Sequence, residues 1–263
     1  MSSAPTSRHR YRVPSAASHT HRHAAPDTRT ATLRPALSAV LVGIGLAILV
    51  LILGVLAKTG PVASLGLRVD EHIAAHDRTS VLTMLAKAAT GAATPETIGT
   101  GLMILLPLIL VLAGRRVDAL RAFCMAGGAF ALAEVGKKLI SEHRPPVSLQ
   151  AMAADSGASY PSGHTTVAAA LAVAVIVVVA STAAWRYAAI VVGAGYVLAV
   201  AVSRVYLADH YPLDVLGGVL CAVAAAFVVT GVAALPAVQP SLRRLGTRGG
   251  RHGAPYPPSG PAA

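Results

Sequence analysis

Five stretches of this chain, residues 36–57, 97–114, 165–184, 187–203 and 215–235, contain no Asp, Glu, Lys, Arg or His. Each has the length that a helix needs to cross a hydrocarbon core, roughly 17 to 25 residues. Inside a bilayer every backbone N–H and C=O must find its partner within the protein, so runs of this kind fold as α-helices. A sixth run, 117–136, contains Asp118, Arg121 and Glu134, but these stand near its ends, where polar heads reach the interface. The chain is 54% hydrophobic and only 13% charged, with a mean hydropathy of +0.63, which suits no soluble globular class. The expected fold class is all-α: a polytopic membrane protein with a six-transmembrane-helix bundle over residues 36–235. Basic tails, 1–35 and 236–263, are expected to be disordered because they mix Pro, Ser, Arg, His and Gly without apolar periodicity. The first run is 22 residues long and follows 35 others, which reads as an uncleaved anchor rather than a signal peptide. Cys124 and Cys221 both fall inside spans and read as small buried residues.

Charge gives the orientation. Six spans leave both termini on one side, and positive residues concentrate on the cytoplasmic side of membrane proteins. Six arginines precede the first span, Arg115, Arg116, Arg121 and Arg186 flank the inner loops, and four follow the last span, 14 of the 22 Lys and Arg. That side holds only two acids, Asp27 and Asp118. The termini are therefore expected in the cytoplasm of a multi-pass cell-membrane protein. Orientation and attraction to anionic membrane lipids account for the net charge of +11, so no nucleic-acid partner is implied. His19, His21 and His23 read as part of a solvated tail. On the opposite, extracytoplasmic side, residues 64–94 interleave Leu65, Leu67, Val69, Ile73, Val81, Leu82 and Leu85 with Asp70, Glu71, His72, His76, Asp77, Arg78 and Lys87. That mixture fits helices lying in the interface with a wet polar face.

Three polar stretches lie at the ends of the apolar runs, all on this outer side. The first is Lys137 with Arg144-Pro145, where Pro145 and Pro146 stop any helix and both cations can face one pocket. Arg presents a planar fork suited to two phosphate oxygens and Lys a compact charge. Glu134, three residues before Lys137 and four before Lys138, reads as the helix-surface partner of a lysine. The second, Pro161-Ser162-Gly163-His164, opens a span, so unpaired N–H groups and the positive end of a helix face outward. Gly163 permits close approach of an oxyanion, Ser162 can cap the helix, and His164 can pass a proton. The third runs from Ser203-Arg204 to His210 and Asp214. The spacing of four lets the carboxylate hold one ring nitrogen and leave the other as a nucleophile. Asp209 has no evident partner and is expected to be solvated. The segment 147–160, with Asp155, reads as a flexible connector.

At these residues the chain resembles the type 2 phosphatidic acid phosphatase family, whose membrane members share a six-helix core with soluble acid phosphatases and vanadium haloperoxidases. Lys137 and Arg144-Pro145, Pro161-Ser162-Gly163-His164, and Ser203-Arg204 with His210 and Asp214 match the family's three motifs in residue type and internal spacing. The resemblance implies catalytic roles for three residues: His210 attacks phosphorus, Asp214 supports its ring, and His164 protonates the leaving group. It implies phosphate binding by Lys137, Arg144, Ser162, Gly163 and Arg204, with no metal and no cofactor. The outer side also lacks the tight carboxylate cluster of a two-metal phosphatase.

The expected activity is metal-independent hydrolysis of a lipid phosphate or diphosphate through a phosphohistidine. Candidate substrates are a polyprenyl mono- or diphosphate such as undecaprenyl diphosphate, phosphatidic acid, phosphatidylglycerol phosphate and a polyprenyl-linked sugar phosphate. A polyprenyl carrier is favoured because spent carrier is left on the outer side after glycan export. The alternatives are a lipid phosphotransferase using the same histidine and a non-catalytic lipid-phosphate binding or transport protein. Small residues such as Gly217-Gly218 are expected to permit close helix packing within one chain.

Overall fold

The computed structural model describes residues 28–153 and 156–247, with side chains from residue 33 onward. The expectations for the far ends of both tails, including His19, His21 and His23, and for Asp155 fall outside the described residues. Nine α-helices occur among those described: α1 (Thr28–Ala57), α2 (Gly60–His72), α3 (Ser80–Gly91), α4 (Thr100–Leu112), α5 (Arg116–Ile140), α6 (Gly163–Ala174), α7 (Ala183–Tyr206), α8 (Pro212–Ala234) and α9 (Gln239–Thr247). No strand is present among the described residues.

Five helical stretches are long and apolar enough to cross a membrane: Leu33–Ala57, Ser80–Leu112, Arg116–Ile140, Ala183–Tyr206 and Pro212–Ala234. The expected span 165–184 is shorter. α6 and the π-turn after it end at Val179, giving the 17-residue rod Gly163–Val179. Ala180 is extended, and Thr182 then caps α7 by accepting the N–H of Trp185 at 3.2 Å. A Ser-Thr pair between two apolar runs has thus become a helix start rather than the tail of a span.

α8 is the centre of the bundle. Half of its span is buried within the protein, against 17% for α1 and α7, and it packs on α1, α5 and α6. Lipid tails are as apolar as leucine, so helices here are held by close packing rather than by expulsion of water. Small residues make the contacts. A Cβ at Gly231 would lie 2.7 Å from the carbonyl oxygen of Ala36, and one at Gly43 would lie 2.8 Å from that of Ala224. Ala126, Ala129, Ala169, Ala170, Ala174, Ala222 and Ala225 fill the interior between α5, α6 and α8. Large side chains such as Leu41, Ile52, Ile104, Leu108, Val192 and Leu198 point outward, as the bilayer requires.

Two expectations are corrected. The C-terminal segment expected to be disordered from residue 236 starts with α9, an amphipathic turn that packs on α5 and α8. The segment 64–94 is not simply a wet interfacial face. Asp70 in α2 is fully buried, Gly66 lies against the Tyr211 ring, and Arg78 donates to the Tyr206 carbonyl at 3.1 Å. Thr90 in α3 bonds Ser203 of α7 at 2.9 Å. Both helices are thereby docked on the end of the bundle where α5 and α7 finish and α6 and α8 begin.

Candidate active site

That end of the bundle gathers the three polar stretches. Tyr160 and Pro161 are seated by glycines on three helices. A Cβ at Gly54 or at Gly217 would come within 2.7 Å of the Tyr160 ring, and one at Gly136 within 2.8 Å of Pro161. The Tyr160–Pro161 peptide is cis, and the buried Tyr160 hydroxyl donates to the Val50 carbonyl at 2.6 Å. Ser162 follows as the N-cap of α6, its Oγ accepting from the N–H of Thr165. Its own N–H donates to the Asp214 carbonyl at 3.0 Å, which locks the start of α6 to the first turn of α8. Gly218 lets the two meet: a Cβ there would lie 2.7 Å from the Ser162 carbonyl oxygen.

His210 is 1% exposed. Its Nδ1 lies 3.2 Å from Asp214 Oδ2 and 3.3 Å from Ser159 Oγ, while Nε2 lies 3.2 Å from Arg144 Nη1. A guanidinium only donates, so Nε2 accepts and Nδ1 carries the proton toward Asp214. This tautomer follows from the network of partners. The same Asp214 oxygen also accepts from the Tyr211 N–H at 2.9 Å and from the Ser159 hydroxyl. Three donors on one oxygen hold the carboxylate, and through it the ring, in a single orientation. Burial pushes the His210 imidazolium down to about 4 against the pull of Asp214, with Arg144 and Arg204 adding to the fall. The ring is neutral at ordinary pH, and Nε2 keeps its lone pair.

The structure brings Arg144, Arg204, His210 and Asp214 together, and it places Asp209 among them. Asp209 is fully buried and not solvated as expected. Its Oδ2 pairs with Arg204 Nη2 and accepts from Arg144 Nη1 at 2.8 Å. Burying two guanidinium groups without a counter-charge would be costly, and the nearest carboxylate in the loop supplies one. His164 is buried in the first turn of α6. Lys137 reaches the same helix start from α5. Its Nζ would lie 3.5 Å from a Cβ at Gly163, and it is the lysine that pairs with Glu134, at 3.5 Å. Lys137 lines a cavity of about 120 Å³ with Pro95, Phe130, Gly163 and Thr166, whereas Arg144 lines one of about 760 Å³ with His143, Pro145, Gln150 and Gly157.

Four further residues that the three motifs do not mark stand at the site. Ser159 touches both His210 and Asp214, and its position directly before the Tyr-Pro-Ser-Gly-His stretch was its only signal. Glu142, buried between the first stretch and Asp214, has its carboxyl pushed up to about 8 by burial and by the charge of Asp214 and a hydrogen bond to it, with Lys58 opposing. Burial and Asp214 likewise push Asp70 up to about 7 against Arg78. Tyr211, surrounded by these acids, rises to about 12, chiefly through burial.

A bundle of apolar helices that gathers fixed cations around an oriented, neutral histidine at one end defines a membrane protein equipped for phosphoryl chemistry. Residues 118–234 match the model of the PAP2 superfamily. Its fold is similar to the crystal structure of a transmembrane PAP2-type phosphatidylglycerolphosphate phosphatase from Bacillus subtilis. The two are 24% identical and superpose with a TM-score of 0.58 over 72% of this chain and 94% of the other. No curated protein sequence matches the chain.

Proposed function

We propose that the chain is a membrane lipid phosphatase that hydrolyses its substrate through a phosphohistidine on His210 without a metal. The observation that carries this reading is the pair of hydrogen bonds on the buried ring, Asp214 at Nδ1 and Arg144 at Nε2, which leaves a neutral nucleophile facing a cation. In the first step Nε2 bonds to phosphorus and the phosphorus–oxygen bond to the lipid breaks. His164 gives its proton to the departing oxygen. Water then attacks phosphorus, His164 takes its proton, and the phosphorus–nitrogen bond breaks to release phosphate. Arg144, Arg204, Lys137, Ser162 and the N–H groups at Gly163 hold the nonbridging oxygens while charge redistributes, which is where preorganised donors contribute most. Asp214 stabilises the positive charge that the ring acquires in the intermediate.

The functional unit runs from residue 36 to 235, with the tails outside it. The distribution of Arg and Lys supports cytoplasmic termini and an extracytoplasmic site, with α2 and α3 at the outer interface. Substrates are lipids whose phosphate stands at the outer leaflet, and a polyprenyl phosphate or diphosphate is favoured by that location. The test is phosphate release by the detergent-purified protein, with EDTA present, from polyprenyl diphosphate, polyprenyl phosphate, phosphatidic acid and phosphatidylglycerol phosphate. Release from at least one, absent in His210→Ala, is the expected result. A strict requirement for added magnesium would overturn the metal-free scheme, and transfer to an added alcohol in place of hydrolysis would make the protein a phosphotransferase.

A further inference from the structure

Asp209 stands where a bound phosphate would have to stand. Its Oδ2 is held by the two guanidinium groups that the proposed mechanism assigns to the phosphate oxygens, 2.8 Å from Arg144 Nη1 and paired with Arg204 Nη2. The same oxygen lies 3.6 Å from His210 Nε2, the atom assigned to attack phosphorus. Arg144 Nη1 also donates to the Asp209 carbonyl at 3.1 Å, so Asp209 engages this nitrogen through both its side chain and its backbone in the substrate-free site. A phosphate oxygen and this carboxylate oxygen cannot both take Arg144 Nη1 and Arg204 Nη2.

We propose that Asp209 is an internal stand-in for the substrate's phosphate, an anion that neutralises the arginines in the resting enzyme and must be displaced when the lipid phosphate binds. This inference rests on the phosphatase reading of the same site. The backbone around Asp209 is suited to such an exchange. The N–H groups of Asp209 and His210 both bond the Arg204 carbonyl, at 3.1 and 3.3 Å, so the carboxylate can leave by side-chain rotation while His210 stays in place. Its second oxygen, Oδ1, is buried and takes no hydrogen bond among the described residues, so the resting pose satisfies only half of the carboxylate. A phosphate brings more oxygens and up to one more negative charge, which is what two buried arginines select for. Competition of this kind lowers apparent affinity by the fraction of time the site stands open. It would discriminate against weak monoanions and ease the release of product.

The experiment measures binding of inorganic phosphate to the full-length protein in detergent, by the phosphate-induced rise in melting temperature and by product inhibition of lipid-phosphate hydrolysis. Asp209→Asn keeps the shape and removes the charge, and Asp209→Ser removes the reach as well. Both variants are expected to bind phosphate about tenfold or more tightly than the wild type, which corresponds to a site open about a tenth of the time or less. They should melt lower than the wild type without phosphate and recover with it, because the phosphate replaces the lost counter-charge. Asp70→Asn, which removes a buried carboxyl that pairs with neither arginine, should change phosphate binding less than threefold. Unchanged or weaker phosphate binding in both Asp209 variants would overturn the proposal, as would failure of both to fold, which would make Asp209 a structural clamp. Equal tightening in Asp70→Asn would also overturn it by assigning the effect to net charge alone. The melting-temperature arm needs no turnover, so it decides this point even if no lipid phosphate is hydrolysed, a result that would instead defeat the phosphatase mechanism.

Discussion

Replacing Gly218 with Ala should disable the site from outside it. The new methyl carbon would lie 2.7 Å from the Ser162 carbonyl oxygen, 3.0 Å from the Thr166 nitrogen and 3.1 Å from Thr165 Cβ. Ordinary contact begins near 3.4 Å, so the first turn of α6 must move by roughly 0.7 Å (3.4 minus 2.7), and two of the three obstructing atoms are backbone. Overpacking of this kind costs about 1–3 kcal/mol. The same shift strains the Ser162 N–H bond to the Asp214 carbonyl and moves His164 and Gly163 away from His210. A misplacement approaching 1 Å at a reacting centre costs on the order of 100-fold in rate. Gly195→Ala is the control: nothing lies within 4 Å of its Cβ, and α7 gains about 1 kcal/mol of helix propensity. The assay is melting temperature together with kcat for phosphate release from the preferred lipid. Gly218→Ala should melt lower and turn over on the order of 10–100-fold more slowly, while Gly195→Ala stays near wild type in rate. A fully active, fully stable Gly218→Ala protein would refute the claim that close contact between α6 and α8 positions the site.

Other perturbations probe the ring's support. Asp214→Asn keeps an acceptor for His210 Nδ1 but removes the charge that stabilises the phosphorylated ring, and kcat should fall about 100- to 1000-fold with a smaller change in KM. Ser159→Ala loses one donor to the same carboxylate and should cost about tenfold in kcat, about 1.4 kcal/mol, which steady-state kinetics would resolve. Glu142 takes up its proton at about 8 in the folded protein, above the ordinary 4.5. Between these values the folded state holds the proton and the unfolded state does not, so stability falls as pH rises toward 8. Glu142→Gln escapes that loss, and its melting temperature relative to wild type should climb between pH 5 and 9; a constant difference would refute the raised value. Tyr160→Phe removes the hydroxyl bond to Val50 and should lower stability by about 1 kcal/mol with little loss of rate, which thermal melting and phosphate release would check together.

Helices and their order were legible because each lipid-facing run must be helical, and the charged interruptions mark where runs stop. The His210–Asp214 pair was legible for a similar reason, since a spacing of four at a helix start brings the two side chains together whatever the rest of the chain does. Contacts between distant segments were not. Asp209 looked solvated because its partner Arg144 is 65 residues away, although Arg204 in the same loop was a signal that a buried carboxylate would be needed. Asp70 and Glu142 sit among polar neighbours in sequence, and only the docking of α2 over Tyr211 and the turn after α5 bury them. The end of α6 was misjudged because composition alone does not separate a span's last residues from the cap of the next helix. Ser181 and Thr182 are compatible with either.

The central claim is that His210 carries the phosphoryl group. Rapid quenching of the protein during turnover of a radiolabelled lipid phosphate, followed by peptide mapping, tests it most directly. Transient label is expected on the peptide containing His210, stable in base and lost in acid as a phosphohistidine is, and absent from His210→Ala. Wild-type turnover with no label on that peptide, or undiminished turnover by His210→Ala, would contradict it.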